Sequence, residues 1–151
     1  MSLARRFPSR WVAATRVAAV RLSALWHHWR PEPSLGERGE QAAARFLRQL
    51  GYRVVDRRHR TALGEIDLVA VDGRTVVFVE VKTRRSDDAG RPHEAIDPAK
   101  QARLSRLALA YLKRHDLLDC PARFDVVAVT WLAGSKQPAI EHFLNAFESA
   151  F

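Results

Sequence analysis

The chain has 151 residues, with 25 Lys and Arg against 17 Asp and Glu, for a formal net charge of +8. At roughly 100–200 residues per domain this leaves room for one domain and a tail, and the balance of 47% hydrophobic and 28% charged residues is that of a globular protein, with no run of about 18 apolar residues to span a membrane. The single cysteine, Cys120, excludes an internal disulfide, and with no CxxC or Cys/His cluster a zinc site is not expected either; a soluble, cytoplasmic protein is.

The charge is uneven. Arg5, Arg6, Arg10, Arg16, Arg21 and Arg30 all precede the first acidic residue, Glu32, so the remaining residues carry only a small positive excess. Arg16 and Arg21 interrupt any signal-peptide core, and basic and apolar residues do not separate onto helical faces, which argues against an export signal or a membrane anchor. Residues 1–33 therefore read as a weakly ordered basic extension ending at Pro31 and Pro33. A transit peptide, a phosphate-binding arm, or a helix packed on a partner through Trp11, Trp26 and Trp29 stay open as alternatives.

Residues 34–151 read as the folded domain. Ser34 and Glu37 form a capping-box pattern ahead of Ala42, Ala43, Phe46, Leu47 and Leu50, which predicts a helix over 35–50 stopped by Gly51. Strands are predicted over 52–56, 65–71 and 74–82, with Asp72-Gly73 as the hairpin turn between the last two. Residues 84–95 read as a polar loop. Asp97-Pro98 opens a second helix to about His115, with Leu104, Leu107, Ala108, Tyr111 and Leu112 on its apolar face. Strands over 123–131 and 139–144 complete the order αβββαββ, an α/β fold with a mixed central sheet flanked by helices. A parallel pair joined through the second helix would place the strand at 123 beside the one at 75.

The strand in VDGRTVVFVEVKT, residues 71–83, is the most apolar of the chain, yet it contains Glu80 and Lys82, which project from the same face. A two-residue Asp72-Gly73 turn sets Glu65 opposite Glu80 and Asp67 opposite Phe78, leaving Asp67 diagonal to Glu80; a slip of two residues opposes them directly. In either register Glu65, Asp67, Glu80 and Lys82 are expected on one face. Two close carboxylates beside an apolar strand repel and lose solvation, at a cost of several kcal/mol per ion when truly buried. Lys82 can neutralise one, and a hard divalent cation satisfies both, since Mg²⁺ binds through one or two carboxylates while keeping waters. The alternative is a solvated sheet end where Glu80 and Lys82 form a weak exposed pair. On the first helix, Glu40 lies at the margin of the apolar arc, and Gly39, which costs about 1 kcal/mol relative to alanine within a helix, would permit close approach to the sheet.

The fragments G-E-x-x-A-x-x-F-L (Gly39 to Leu47), G-E-I-D-L-V-A (Gly64 to Ala70), V-F-V-E-V-K-T-R (Val77 to Arg84) and R-F-D-V-V (Arg123 to Val127) strongly resemble the YraN family, small bacterial proteins of unestablished function with a restriction-endonuclease-like fold. The resemblance runs from about residue 36 to Phe147 and leaves the basic extension outside. It implies kinship to Holliday-junction resolvases and other PD-(D/E)xK nucleases, whose motif residues match Asp67, Glu80 and Lys82, with a helix glutamate matching Glu40. Ile66 stands where that motif has proline, and His59 where the family often has Asn. The chemistry implied by the resemblance is Mg²⁺- or Mn²⁺-dependent phosphodiester hydrolysis. Asp67, Glu80 and the Val81 carbonyl are expected to hold the metal, with Glu40 touching it directly or through water, and Lys82 to orient or help deprotonate the attacking water.

The expected partner is nucleic acid, DNA before RNA and possibly branched or structured, with a homodimer open. Lys100, Arg103 and Arg106 form a basic ridge at i, i+3 spacing which, with Arg84, suits a phosphate backbone. Glu65 is expected to be structural or to support the ligands from behind, and Asp125 to pair with a neighbouring arginine. Six histidines are scattered without ligand spacing, which makes His59 or His93 a poor candidate base. Two rivals remain: a nucleic-acid-binding module that kept the fold and lost turnover, and an adaptor docked through the tryptophan-rich tail.

Overall fold

The structure, a computed structural model, describes residues 32–86 and 96–149. In chain order these form α1 (Leu35–Gln49), β1 (Arg53–Thr61), β2 (Gly64–Asp72), β3 (Thr75–Arg85), α2 (Pro98–Arg114), β4 (Ala122–Trp131) and β5 (Ala139–Phe147). All seven predicted elements are present in the predicted order. The basic extension up to residue 31, and His93 with most of the polar loop, lie outside the described residues. Among the described residues no helix is long and apolar enough to cross a membrane.

The five strands form one sheet in the order β1-β2-β3-β4-β5. β3 and β4 are parallel and bracket α2 in sequence, while the other neighbours are antiparallel. This is a mixed five-stranded α/β fold with two helices, compatible with a restriction-endonuclease-like core. Both helices start where side chains satisfy their free N–H groups. Ser34 and Glu37 complete the capping box, and the Asp97 carboxylate accepts from the Lys100 N–H ahead of Pro98.

α1 lays Ala42, Ala43, Ala44 and Leu47 on Leu68, Ala70, Val77, Val79, Val127 and Val129. Within the α2 side of the core, Phe78 of β3 meets Tyr111 edge-on at a centroid distance of 5.7 Å and Phe124 at 5.6 Å. Val76, Val77, Phe78 and Val79 are thus all buried, at roughly 1.5–3 kcal/mol of burial for each such side chain. Cover on both faces explains why the first half of β3 is continuously apolar rather than alternating.

Three details differ from the sequence-based expectations. The β2–β3 turn is Gly73-Arg74, with Gly73 at φ 57 and Asp72 paired to Thr75, so the register is the one slipped by two residues. β1 continues to Thr61 rather than Asp56 and joins β2 through Ala62-Leu63. β3 runs to Arg85 and β5 to Phe147, taking in residues expected to be loop.

The alternation of β2 breaks at Asp67. Leu68 belongs to the α1 cluster, whereas Ile66, two residues earlier, lines a small cavity with Phe78, Phe124 and Leu104 of α2. On the neighbouring strand Arg58 has φ 52, a left-handed conformation that costs a non-glycine residue about 1 kcal/mol or more. The break separates Glu65 from the other acids: it pairs instead with Arg60, Nε to Oε2 at 2.9 Å.

Candidate active site

Ladder pairing between β2 and β3 ends at Leu68↔Val79, although both strands continue. One step beyond that pair stand Asp67 and Glu80, where the strands part. The Asp67 carboxylate turns to the β3 backbone and accepts from the Val81 N–H at 2.7 Å. Its pKa is pushed up to about 7, first by burial and then by the charges of Glu80 and Glu40, against the opposing effects of the Val81 N–H and Lys100. Glu40 of α1 and Glu80 of β3 are therefore both within electrostatic reach of Asp67 on β2.

Glu40 reaches this point because Gly39 lets α1 sit directly on β3. A Cβ on Gly39 would fall 1.7 Å from Thr83 Oγ1 and 2.7 Å from Thr83 Cβ, which no side chain tolerates. The site also holds two cations. Arg58 donates from Nε to Glu40 at 2.5 Å and from Nη1 to Glu37 at 2.8 Å. Glu37 therefore serves both the α1 cap and this clamp, and its pKa is lowered to about 2, chiefly by Arg58. Lys100, at the start of α2, pairs through Nζ with Glu80 Oε1. Lys100 thus faces the acids, and of the basic ridge on α2 only Arg103 and Arg106 are exposed.

Lys82 is half-buried two residues beyond Glu80. Arg84 is half-buried as well, and its Nε donates to Thr130 Oγ1 at 3.2 Å. His59 packs edge-on against Tyr111, and its Nδ1 lies 3.1 Å from Asp56, which ties it to the fold. Asp125 is fully buried. Burial alone would raise its pKa, but His142, Arg123 and the Asn145 N–H together hold it low. As anticipated it is an arginine's partner, and Arg123 extends the network to Asp72 and Tyr52.

The residues missed from sequence are Arg58 as the clamp on α1 and Lys100 as the partner of Glu80. Arg58 lies past the predicted end of the first strand and is one of four arginines in the observed β1, so no signal in the sequence singled it out. Among the described residues no three His, Cys, Asp or Glu side chains form a ready metal cage. The donors at hand are nevertheless of the right kind for a hard cation: the Asp67 and Glu80 carboxylates, the first of them buried and short of positive charge. Mg²⁺ asks for one or two protein carboxylates and takes its other ligands from water and phosphate.

The model of an uncharacterised protein family, UPF0102, matches residues 39–129. The chain is 53% identical over 117 residues to a UPF0102 protein of Geobacter sulfurreducens, covering 78% of this chain and 91% of that one. It is 48% identical over 118 residues to a UPF0102 protein of Geotalea uraniireducens, covering 78% and 92%. With a UPF0102 protein of Rhodopirellula baltica the identity is also 48% over 118 residues, covering 76% and 71%. The matched span takes in Glu40, Arg58, Asp67, Glu80, Lys82 and Lys100, and stops short of β5.

Proposed function

For this chain, which belongs to the uncharacterised protein family UPF0102, we propose metal-dependent phosphodiester hydrolysis on nucleic acid, DNA in the first instance. The observation that carries the reading is Asp67: a buried carboxylate at the parting of β2 and β3, its pKa raised by burial and by two neighbouring acids. Such a group is stabilised in its charged form by a cation between the carboxylates.

Asp67, Glu80 and the Val81 carbonyl are the groups to hold Mg²⁺ or Mn²⁺, with Glu40 beside them. The bound cation supplies polarisation of the phosphate and stabilises the leaving oxygen. The chain's own residues do the rest. The Val81 N–H fixes one Asp67 oxygen and leaves the other for the site. Gly39 sets the depth of Glu40. Lys82, by strand alternation on the face of Glu80, orients the attacking water and lowers the cost of removing its proton. Arg103 and Arg106, exposed along α2, offer contacts to the phosphate backbone beyond the site.

The test is cleavage of branched, single-stranded and duplex DNA in Mn²⁺. Wild type should cut at least one substrate, and Lys82→Ala and Asp67→Ala should each lower the rate by about 10²-fold or more, as loss of a group that acts on the reacting water or phosphate does. Equal rates in wild type and Lys82→Ala would overturn the reading. A second reading, a nucleic-acid-binding module without turnover, draws on the pairing of Glu40 and Glu80 with Arg58 and Lys100. It predicts retained binding and no cutting by any of the three proteins.

A further inference from the structure

On the side of α1 that faces β5, away from the Arg58 clamp, runs a groove of about 400 Å³. Its walls include Phe46 and Arg45 of α1, Trp131 at the end of β4, Ile140 of β5, and Lys136 from the turn between the two strands. Among the described residues no acidic side chain lines it. The Trp131 indole is braced by Arg38, whose guanidinium sits 4.2 Å from the ring centroid, and its buried Nε1 has no hydrogen-bond partner among the described residues. Trp131 pairs in the β3–β4 ladder with Arg85, five residues along β3 from Glu80, so the groove lies beyond the end of the strand that carries the candidate site.

We infer that this groove binds an unpaired nucleobase of a single-stranded nucleic-acid tract, with Phe46 and Trp131 against the base and Arg45 and Lys136 against its flanking phosphates. The chemistry selects this occupant. Aromatic side chains stack on any base, and cations beside them hold the backbone, which is how sequence-tolerant single-strand sites are built. In a duplex the faces of the bases are hidden by their neighbours, so only an unpaired one can enter. The volume suits one nucleotide rather than an oligomer. The inference rests on the nucleic-acid role proposed above and narrows it to substrates that carry an unpaired tract, but it concerns binding and does not need turnover.

The full chain in EDTA is titrated by fluorescence anisotropy into three labelled probes of equal length: an oligo-dT strand, a blunt duplex, and a strand of abasic residues. The strand should bind more tightly than the duplex or the abasic probe. Trp131→Leu should weaken strand binding by about tenfold, as loss of one stacked base does, with the duplex little changed. Because Trp131 is partly buried, the double variant Arg45→Glu/Lys136→Glu, at two exposed positions, gives a second reading, and it should weaken strand binding at least as much. Equal binding of strand and abasic probe, or wild-type strand affinity in the double variant, would overturn the groove assignment. Cleavage in Mn²⁺ is scored separately, so a protein that never cuts but loses strand affinity in these variants refutes the hydrolytic reading and keeps the groove.

Discussion

At Asp67 the competing terms can be weighed. Its carboxyl titrates near 7 in the folded chain instead of the ordinary 3.8. Below pH 3.8 it is protonated folded or unfolded, and burying it costs no charge. Between about pH 4 and 7 the folded state holds the proton more tightly, so stability falls as pH rises, and above 7 the whole cost is present. At about 1.4 kcal/mol per pKa unit this amounts to at most about 4 kcal/mol. Asp67→Asn removes the titration while its amide oxygen can still accept from the Val81 N–H. In metal-free buffer the variant should be more stable than wild type at pH 8 and indistinguishable from it at pH 4, as read by urea unfolding at each pH. An advantage that persisted at pH 4 would mean that the gain is packing and not charge. A binding group that destabilises its own fold is the usual mark of a site kept for a ligand.

At the level of elements, the site depends on one helix-to-strand contact. Gly39→Ala places a Cβ inside the Thr83 side chain, so α1 must lift from β3. We expect a loss of about 1–3 kcal/mol or more in thermal or denaturant unfolding, in the range of an overpacked core, with Glu40 displaced from its neighbours. Thr83→Gly removes the obstructing atoms, and the double variant should recover part of the loss, a coupling that two independent surface changes would not show. The elements themselves are legible because their signals are local: Ser34 with Glu37, Asp97 with Pro98, and the apolar stripe of α2 each decide a helix within a few residues. β1 looks shorter in the sequence than in the fold because Asp56 to Arg60 is polar throughout, as suits an edge strand, and no periodicity marks it. The β2–β3 register turns on which two residues sit in the turn, and Asp72-Gly73-Arg74 permits either choice. Asp67 and Glu80 are legible as charges out of place among apolar residues, and Glu40 through its place at the margin of the apolar arc and the family resemblance. Arg58 and Lys100 are not, because a long flexible cation reveals its partner only when the chain is folded.

For the molecule as a whole, the question is which cation the acids hold. Arg58 and Lys100 occupy Glu40 and Glu80, so a divalent ion must compete with Lys100 for Glu80 and with a proton for Asp67. Both competitions can be read in the unfolding of the entire domain, because a ligand bound only to the folded state stabilises it by RT ln(1 + [L]/Kd), about 2.7 kcal/mol at a hundredfold excess over Kd. In a domain of this size that raises Tm by roughly 4 °C per kcal/mol. Mn²⁺ should therefore raise the Tm of wild type at pH 8, raise it less at pH 5.5, where the proton holds Asp67, and leave Asp67→Asn nearly unmoved. Lys100→Met sharpens the point. Without the lysine, partly buried Glu80 loses its ion-pair partner on α2, so the metal-free protein should melt below wild type at pH 8. The Mn²⁺-induced rise should then be larger than in wild type, because the ion no longer displaces a resident charge. If the lysine is instead a permanent partner of Glu80 and no metal enters, Lys100→Met lowers Tm and Mn²⁺ restores none of it.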